Sequence, residues 1–113
     1  MSEEYEVRTG PVRVSGYSIK LRRVINGVLS DKFKKGELDS KSINDSISDL
    51  NKTIYQVIVD KFEVPKEAVT NIILKFSVEE NKIKVKDINV EIFDRDEILS
   101  NNVTKELRNL ITT

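Results

Sequence analysis

Apolar residues recur at two different spacings along this chain, and the spacing changes where turn residues stand. Between residues 5 and 15, apolar and polar side chains alternate as in a half-buried strand. The alternation slips at Gly10-Pro11, where glycine tolerates unusual dihedral angles and proline cannot donate a hydrogen bond to a neighbouring strand. This segment is predicted to be an edge strand with a bulge, and Arg8 and Arg13 are expected on the face opposite the valines.

Two helices are predicted after this strand, because apolar residues then recur every three or four positions. The first is predicted over residues 18–33 and ends before Gly36. The second begins at the capping residues Asp39 and Ser40 and ends before Pro65. Their regular apolar stripes predict that both helices pack against a common core.

Strict alternation returns in the last third of the chain, where it predicts a β-hairpin. Residues 70–78 and 83–93 are the two predicted strands, joined by a four-residue turn. The short turn sets a register that places Lys75 opposite Lys86. The second strand also slips at Lys86-Asp87, which predicts another bulge. Like charges placed opposite each other destabilise a strand pair, so this lysine pair suggests a use for the charge.

The predicted elements follow one another in the order β-α-α-β-β-α. This order predicts an α+β fold, in which a small antiparallel sheet carries two helices on one face and a C-terminal helix follows. Residues 1–95 are predicted to form the α+β domain and residues 96–113 the C-terminal helix. Apolar residues recur along that last helix, which predicts self-association into a homo-oligomer. The residues of this pattern are Leu99, Val103, Leu107 and Leu110.

Composition limits the classes of function. A chain of 113 residues with 38% hydrophobic residues is expected to form one small soluble domain, and no apolar run is long enough to span a membrane. No signal-peptide pattern follows Met1, so we expect a cytoplasmic protein. The chain contains neither cysteine nor histidine and shows no phosphate-binding loop or nucleophile elbow. We therefore expect no cofactor, no metal and no enzymatic activity.

A net charge of zero conceals an uneven distribution of charge. Residues 8–35 carry eight basic residues against the single carboxylate of Asp31, a net of +7, and the rest of the chain sums to −7. If this segment folds onto one surface, that surface suits the phosphates of a nucleic acid. The alternative is a helix that simply carries its lysines in water.

The face of the predicted sheet that the helices leave uncovered, the outer sheet face, is also expected to be basic. Its carboxylates are few, chiefly Glu6 and Glu91. Such a face suits a polyanion, although edge lysines also protect a sheet against aggregation. The cations predicted on it are Arg8, Arg13, Lys75, Lys82, Lys84 and Lys86.

Three segments of the chain resemble a family of small archaeal proteins. Residues 9–23, TGPVRVSGYSIKLRR, are similar to a Thr-Gly-x-Val strand followed by Gly-Tyr-Ala-x-Lys-Leu-Arg-Arg at the start of a helix. Residues 49–52 resemble the family's Glu-Leu-Asn-Lys/Arg, and residues 89–93 resemble its terminal strand. The family is that of the ThermoDBP-related single-stranded DNA-binding proteins, and the resemblance covers residues 5–93.

This resemblance implies single-stranded nucleic-acid binding in a groove with an apolar floor and basic rims, and self-association through the tail. Lys20, Arg22 and Arg23 match the family's basic positions, and Tyr17 is the adjacent aromatic residue. Tyr17 also begins the apolar stripe of the first helix, so it belongs either to the core or to a stacking platform. We favour stacking, because the ring is expected near the charged rim.

Together these observations predict a non-enzymatic protein that binds single-stranded DNA or RNA with little sequence preference. The alternative is a protein–protein interaction module of the archaeal transcription, translation or repair machinery, which uses the same basic surface or an apolar stripe at Tyr55, Val59 and Phe62. A small metabolic enzyme is the least favoured class. Both the basic groove and the outer sheet face remain open as binding surfaces. The predicted nucleic-acid-binding residues are Arg8, Arg13, Tyr17, Lys20, Arg22, Arg23, Lys75, Lys84 and Lys86.

Overall fold

An antiparallel sheet forms one layer of the structure, and two helices pack together on one of its faces. The computed structural model describes residues 3–93 and 97–111, and the side chains of residues 97–100 and 111 lie outside the description. The predicted α+β class and element order are confirmed. The elements are β1 (Glu4–Arg8), β2 (Val12–Arg13), α1 (Tyr17–Lys34), α2 (Ser40–Tyr55), β3 (Val69–Glu79), β4 (Lys82–Phe93) and α3 (Glu97–Ile111).

Strand β3 is the centre of the sheet. Because β4 pairs with β3 along its whole length, β1 and β2 share the other edge of β3. The two short strands are separated at Gly10, whose φ of 69° suits glycine. Just before it, the Thr9 hydroxyl oxygen accepts a hydrogen bond of 3.0 Å from the main-chain N–H of Ile72. The predicted interruption of the edge strand is therefore confirmed.

The β3–β4 hairpin has the predicted register near its turn and a different one beyond it. Phe76 lies opposite Val85, as predicted. The next partner of β3, Lys75, lies opposite Asp87, so the predicted pairing of Lys75 with Lys86 is wrong. A bulge between these two residue pairs leaves Lys86 as the extra residue of β4. The slip in the sequence pattern was this bulge, and it turns an expected repulsion into an opposite-charge pair.

The core lies between the helix layer and β3. Helix α1 spans nearly the predicted range, and the central residues of the apolar stripes of both helices are buried. The strand contributes the alternate residues of β3 that face the helices. Burial of these apolar side chains is the main stabilising contribution to the fold. The residues with no exposed surface include Leu21, Ile25, Leu29, Ile43, Ile47, Ile72, Leu74 and Phe76.

Helix α2 has a well-defined start and an irregular end. The Asp39 carboxylate accepts hydrogen bonds from the Ser42 N–H (3.1 Å) and the Ser42 hydroxyl (2.6 Å), as expected of a cap. These donors lower the pKa of Asp39 below its usual value. After Tyr55 the helix continues as a π-helix over Gln56–Lys61, which the sequence pattern did not predict. A π-helical turn is rare, and the spacing of apolar residues does not distinguish it from an α-helix.

Two apolar stripes remain uncovered in the part of the chain that the structure describes. One lies on the helix side of β4, where Val85, Ile88 and Ile92 are partly exposed (the β4 stripe). The other lies on α3, where the described side chains are all exposed, including Val103, Leu107 and Leu110 (the α3 stripe). The predicted fourth member of the α3 stripe, Leu99, has its side chain outside the described residues. Among the described helices, none combines the length and hydropathy needed to cross a bilayer.

Candidate nucleic-acid interface

An open groove of about 540 Å³ lies between the start of α1 and the second half of α2. Helix α1 contributes Ile19 and Arg22 to its walls, and α2 contributes Lys52 and Tyr55. Lys66 reaches it from the segment between α2 and β3. None of the residues that line the groove is an aspartate or a glutamate. The groove is therefore lined by three cations and by apolar side chains, and no carboxylate in its lining neutralises the positive charge.

The apolar surface of the groove comes from Ile19 and Tyr55. Ile19 is 66% exposed and Tyr55 is 40% exposed, so neither side chain is needed to fill the core. An exposed aromatic ring in a basic groove is the usual platform for an unpaired base, since every base has a π-face. The sequence pattern had already placed Tyr55 outside the main apolar stripe of α2.

Lys52 and Lys66 are the two exposed cations of the groove. Lys66 is held in place through its main chain, because its carbonyl accepts a hydrogen bond of 3.1 Å from the Ser15 N–H. The ion pairs found among the described residues join Arg8 to Glu6 and Lys32 to Glu37, and neither involves a groove lysine. Both ammonium groups are therefore available to phosphates.

Arg22 forms one wall of the groove and connects α1 to α2. Its Nη1 donates to the Asn44 carbonyl at 3.0 Å and to Asn44 Oδ1 at 2.9 Å, and its Nη2 donates to the Ser48 hydroxyl at 2.6 Å. Arg22 lies in the groove, but much of its donor capacity is already used within the protein. It therefore holds α1 against α2 as well as lining the groove, a role that its position outside the apolar stripe did not reveal.

The other matched basic residues of α1 do not line the groove. Arg23 is exposed and Lys20 is half-buried, and neither is among the residues that line the groove. Their contribution to binding stays a prediction. Its physical basis is the positive potential of α1, which extends beyond direct contacts.

Tyr17 is a core residue that reaches the base of the groove. Its side chain is only 2% exposed, and its hydroxyl donates a hydrogen bond of 2.8 Å to the main-chain carbonyl of Asn51. Burial, with a smaller effect from the neighbouring Tyr55, raises the pKa of Tyr17 to about 12. The ring has no exposed face for a base, so the stacking role that we favoured is wrong. The core alternative holds because the Tyr17 ring continues the buried stripe of α1.

The outer sheet face does not carry the predicted excess of positive charge. Lys75 lies between Glu6 of β1 and Asp87 of β4, and Arg8 approaches the same Glu6 at 4.0 Å. The predicted lack of carboxylates is wrong, because the register places acidic residues of β1, β3 and β4 beside the cations. Lys86 lies at the bulge and has no paired residue on β3. The face combines Arg8, Arg13, Lys75, Lys82 and Lys84 with Glu4, Glu6, Glu79, Asp87 and Glu91.

The structure thus separates two groups of predicted site residues. Arg22 and Tyr17 line the groove, whereas the five outer-face residues of the prediction do not. Those five are Arg8, Arg13, Lys75, Lys84 and Lys86.

Sequence reasoning missed four residues that give the groove its character. Tyr55 carried a signal in the second apolar stripe of α2. Asn51 and Lys52 lay within the segment that resembles the archaeal family. Lys66 carried no local signal, because only the tertiary structure brings it to α1.

Comparison with known proteins agrees with this description of the fold. Residues 7–84 match the sequence profile of a family described as ThermoDBP-related, archaea. No curated protein matches the chain. The crystal structure of apeThermo-DBP-RP2 bound to ssDNA dT10 is similar at a TM-score of 0.80 and 25% identity, over 98% of this chain and 54% of that one. This chain therefore spans about half the length of that protein.

A second solved structure is similar over most of its own length. The crystal structure of pfuThermo-DBP-RP1 (crystal form II) has a TM-score of 0.68 and 25% identity, over 94% of this chain and 80% of that one. The likeness extends across nearly the whole of this chain in both cases.

Proposed function

Because this chain belongs to the ThermoDBP-related family of archaea, we propose that it binds single-stranded DNA in the groove between α1 and α2. The observation that carries the proposal is the lining of the groove, which joins three cations and an exposed tyrosine without a carboxylate. The single-stranded DNA in the similar apeThermo-DBP-RP2 structure supports the same ligand. The protein acts by binding and performs no chemistry.

Each part of the groove has a distinct role in this proposal. Lys52 and Lys66 contact phosphates, which supplies most of the affinity and makes it dependent on salt. Tyr55 stacks on a base, and Ile19 packs against a neighbouring base or sugar. Arg22 holds the two walls together and uses its remaining N–H groups on the strand. Since phosphates and π-faces are common to all sequences, little sequence preference is expected.

The same contacts extend the proposal to single-stranded RNA. Stacking on Tyr55 and ion pairing with Lys52 and Lys66 use groups that DNA and RNA share. Discrimination between the two requires a contact to the 2′-hydroxyl, and neither of these interactions supplies one. Comparable affinities for dT10 and an RNA decamer of uridines are therefore expected.

A salt titration of dT10 binding tests the proposal directly. The logarithm of the association constant should fall linearly with the logarithm of the salt concentration, with a slope of about −0.7 for each phosphate neutralised. A duplex of the same length is the control and should bind more weakly. Failure to bind dT10 at low salt contradicts the proposal and favours the protein–protein interaction module instead.

We further propose that the chain forms a homo-oligomer through α3, as a self-association element separate from the α+β domain. The α3 stripe is exposed, and the β4 stripe is also uncovered in the described structure. Exposed apolar stripes of this kind are usually covered by a partner. A second copy of the chain supplies both stripes at once, which makes it the simplest occupant.

A further inference from the structure

Asn51 has a side-chain carbonyl without a partner inside the protein. The residue is only 8% exposed, and its Nδ2 donates one long hydrogen bond of 3.3 Å to the Ser18 carbonyl. Its Oδ1 accepts none and has almost no exposed surface, so a ligand reaches this atom only when the side chain turns toward the groove. A buried carbonyl without a donor is unfavourable, so such an atom calls for an explanation. Two other buried polar atoms of the described residues share this property, Asn71 Oδ1 and Ser77 Oγ, and neither residue lines the groove.

The position of Asn51 relates it to the exposed aromatic ring of the groove. Asn51 lies four residues before Tyr55 on α2, and both residues line the groove. Residues at this spacing are neighbours on one face of a helix, with their Cβ atoms about 5–6 Å apart. A base stacked on Tyr55 therefore lies close to Asn51. The Watson–Crick edge of every base carries an N–H group, which is the kind of donor that Asn51 Oδ1 lacks.

We propose that Asn51 recognises the Watson–Crick edge of the base that stacks on Tyr55, with Oδ1 accepting a hydrogen bond from the base. This inference rests on the proposed function. Adenine and cytosine offer an amino N–H on this edge, thymine an imino N–H, and guanine both. The contact is therefore open to every unpaired base. In a duplex the same edge is occupied by the complementary strand, so Asn51 makes the groove selective for unpaired bases rather than for a sequence.

The anchor of the carboxamide is weak. The Ser18 carbonyl accepts from Nδ2 at 3.3 Å, which is long for a hydrogen bond. The main chain of Asn51 is fixed by the hydrogen bond from the Tyr17 hydroxyl. The side chain is therefore expected to turn Oδ1 toward the groove when a base binds, while the helix stays in place.

A thymidine decamer whose bases are methylated at N3 tests this contact. The methyl group replaces the imino N–H but leaves the ring and the phosphates in place. The wild-type protein should bind this decamer about tenfold more weakly than dT10, on the scale of one hydrogen bond lost from a buried acceptor. Asn51→Ala should bind both decamers with similar affinity, because it has no acceptor to lose. The comparison of two proteins with two ligands isolates this interaction.

A matched control comes from the outer sheet face. Asn71 also has a buried side-chain oxygen without a partner, and its Nδ2 donates to Glu91 Oε1 at 2.8 Å. Asn71→Ala should keep the wild-type preference for dT10 over the methylated decamer. If Asn51→Ala does not fold, Asn51→Leu fills the same volume without an acceptor and supplies the same comparison.

The outcomes separate the failure of this inference from the failure of the proposed function. Equal binding of the two decamers by the wild-type protein overturns the role of Asn51 and leaves single-stranded binding intact. A folded Asn51 variant that still discriminates tenfold assigns the contact to another group and also overturns it. Absence of dT10 binding by the wild-type protein overturns the proposed function, and this inference with it.

Discussion

The hydroxyl of Tyr17, at the start of α1, donates a hydrogen bond of 2.8 Å to the main-chain carbonyl of Asn51 in α2. This bond lies between the hydrophobic core and the groove. Tyr17 therefore packs in the core and also holds in place the part of α2 that forms a wall of the groove. The buried phenol is best kept neutral, because a phenolate without water or a cation is unfavourable.

Replacement of Tyr17 by phenylalanine tests this contact through its dependence on pH. At pH 7, Tyr17→Phe should lower the free energy of unfolding by about 1 kcal/mol, the contribution of one hydrogen bond. The pKa of Tyr17 is raised from its usual 10.0 to about 12, so the unfolded chain loses this proton first as pH rises. The stabilisation is complete below pH 10 and is lost between pH 10 and about 12.

Urea denaturation of both proteins across this pH range is the measurement. The difference between wild type and Tyr17→Phe isolates Tyr17 from other groups that titrate there, including Tyr5, whose pKa is also raised. A difference that stays constant with pH would show that the phenol is not held neutral by burial.

Replacement of Tyr55 separates base stacking from stability. Tyr55→Ala should reduce the binding of dT10 by about 1–3 kcal/mol and change the unfolding free energy little, since the ring is half-exposed. The chain has three tyrosines and no tryptophan, so tyrosine emission reports on the groove. Oligonucleotide should quench this emission in wild type and in the control Tyr5→Phe, but not in Tyr55→Phe. Persistent quenching in Tyr55→Phe would place the stacked base elsewhere.

Arg22 and Arg23 are adjacent in the sequence and are expected to behave differently. Arg22→Ala removes the hydrogen bonds to Asn44 and Ser48, and should destabilise the protein by about 1.5–3 kcal/mol. Arg23→Ala affects an exposed side chain and should change stability by less than about 0.5 kcal/mol. Arg22→Lys should restore little, because lysine lacks the planar fork. Equal urea midpoints for the two alanine variants would contradict the bridging role.

The sequence pattern predicted the fold well because apolar spacing reports directly on burial. It placed the strands, the helices and the bulge in β4. It did not show that Lys86 is the extra residue of this bulge. The position of the bulge determines whether Lys75 lies opposite Lys86 or opposite Asp87. The charge of the outer sheet face depended in part on this register, so the face was misjudged although most of its cations were correctly identified.

The site was harder to predict, because apolar residues at helical spacing occur both in the core and in the groove. Tyr17 begins the apolar stripe of α1, and helical periodicity alone does not distinguish a buried first turn from an exposed one. The role of Arg22 depends on polar partners in another helix, about twenty residues away, which no local pattern contains. Lys66 reaches the groove through a main-chain hydrogen bond from Ser15, a contact between segments that are distant in the sequence.

Two pairs of lysines distinguish the groove from the outer sheet face. Lys52→Gln with Lys66→Gln should weaken dT10 binding and reduce the slope of the salt titration by about 1.4, corresponding to two phosphate contacts. Lys75→Gln with Lys84→Gln removes the same charge from the other side of the sheet. That pair should leave the slope unchanged and slightly lower the melting temperature, because Lys75 lies between two carboxylates. A larger loss of affinity from the second pair would move the binding surface to the sheet.

Substitution within the α3 stripe tests self-association separately from DNA binding. Leu107→Asp places a charge among exposed apolar side chains and should convert an oligomer to monomers in sedimentation equilibrium. Asn101→Asp adds the same charge on the opposite side of α3 and should leave the mass unchanged. Because Leu107 is exposed, the melting temperature of the monomer should be preserved. Long single strands should bind less tightly to Leu107→Asp, since linked grooves act together, whereas a short strand that occupies one groove should not. A wild-type monomer, or an unchanged mass for Leu107→Asp, would contradict association through α3.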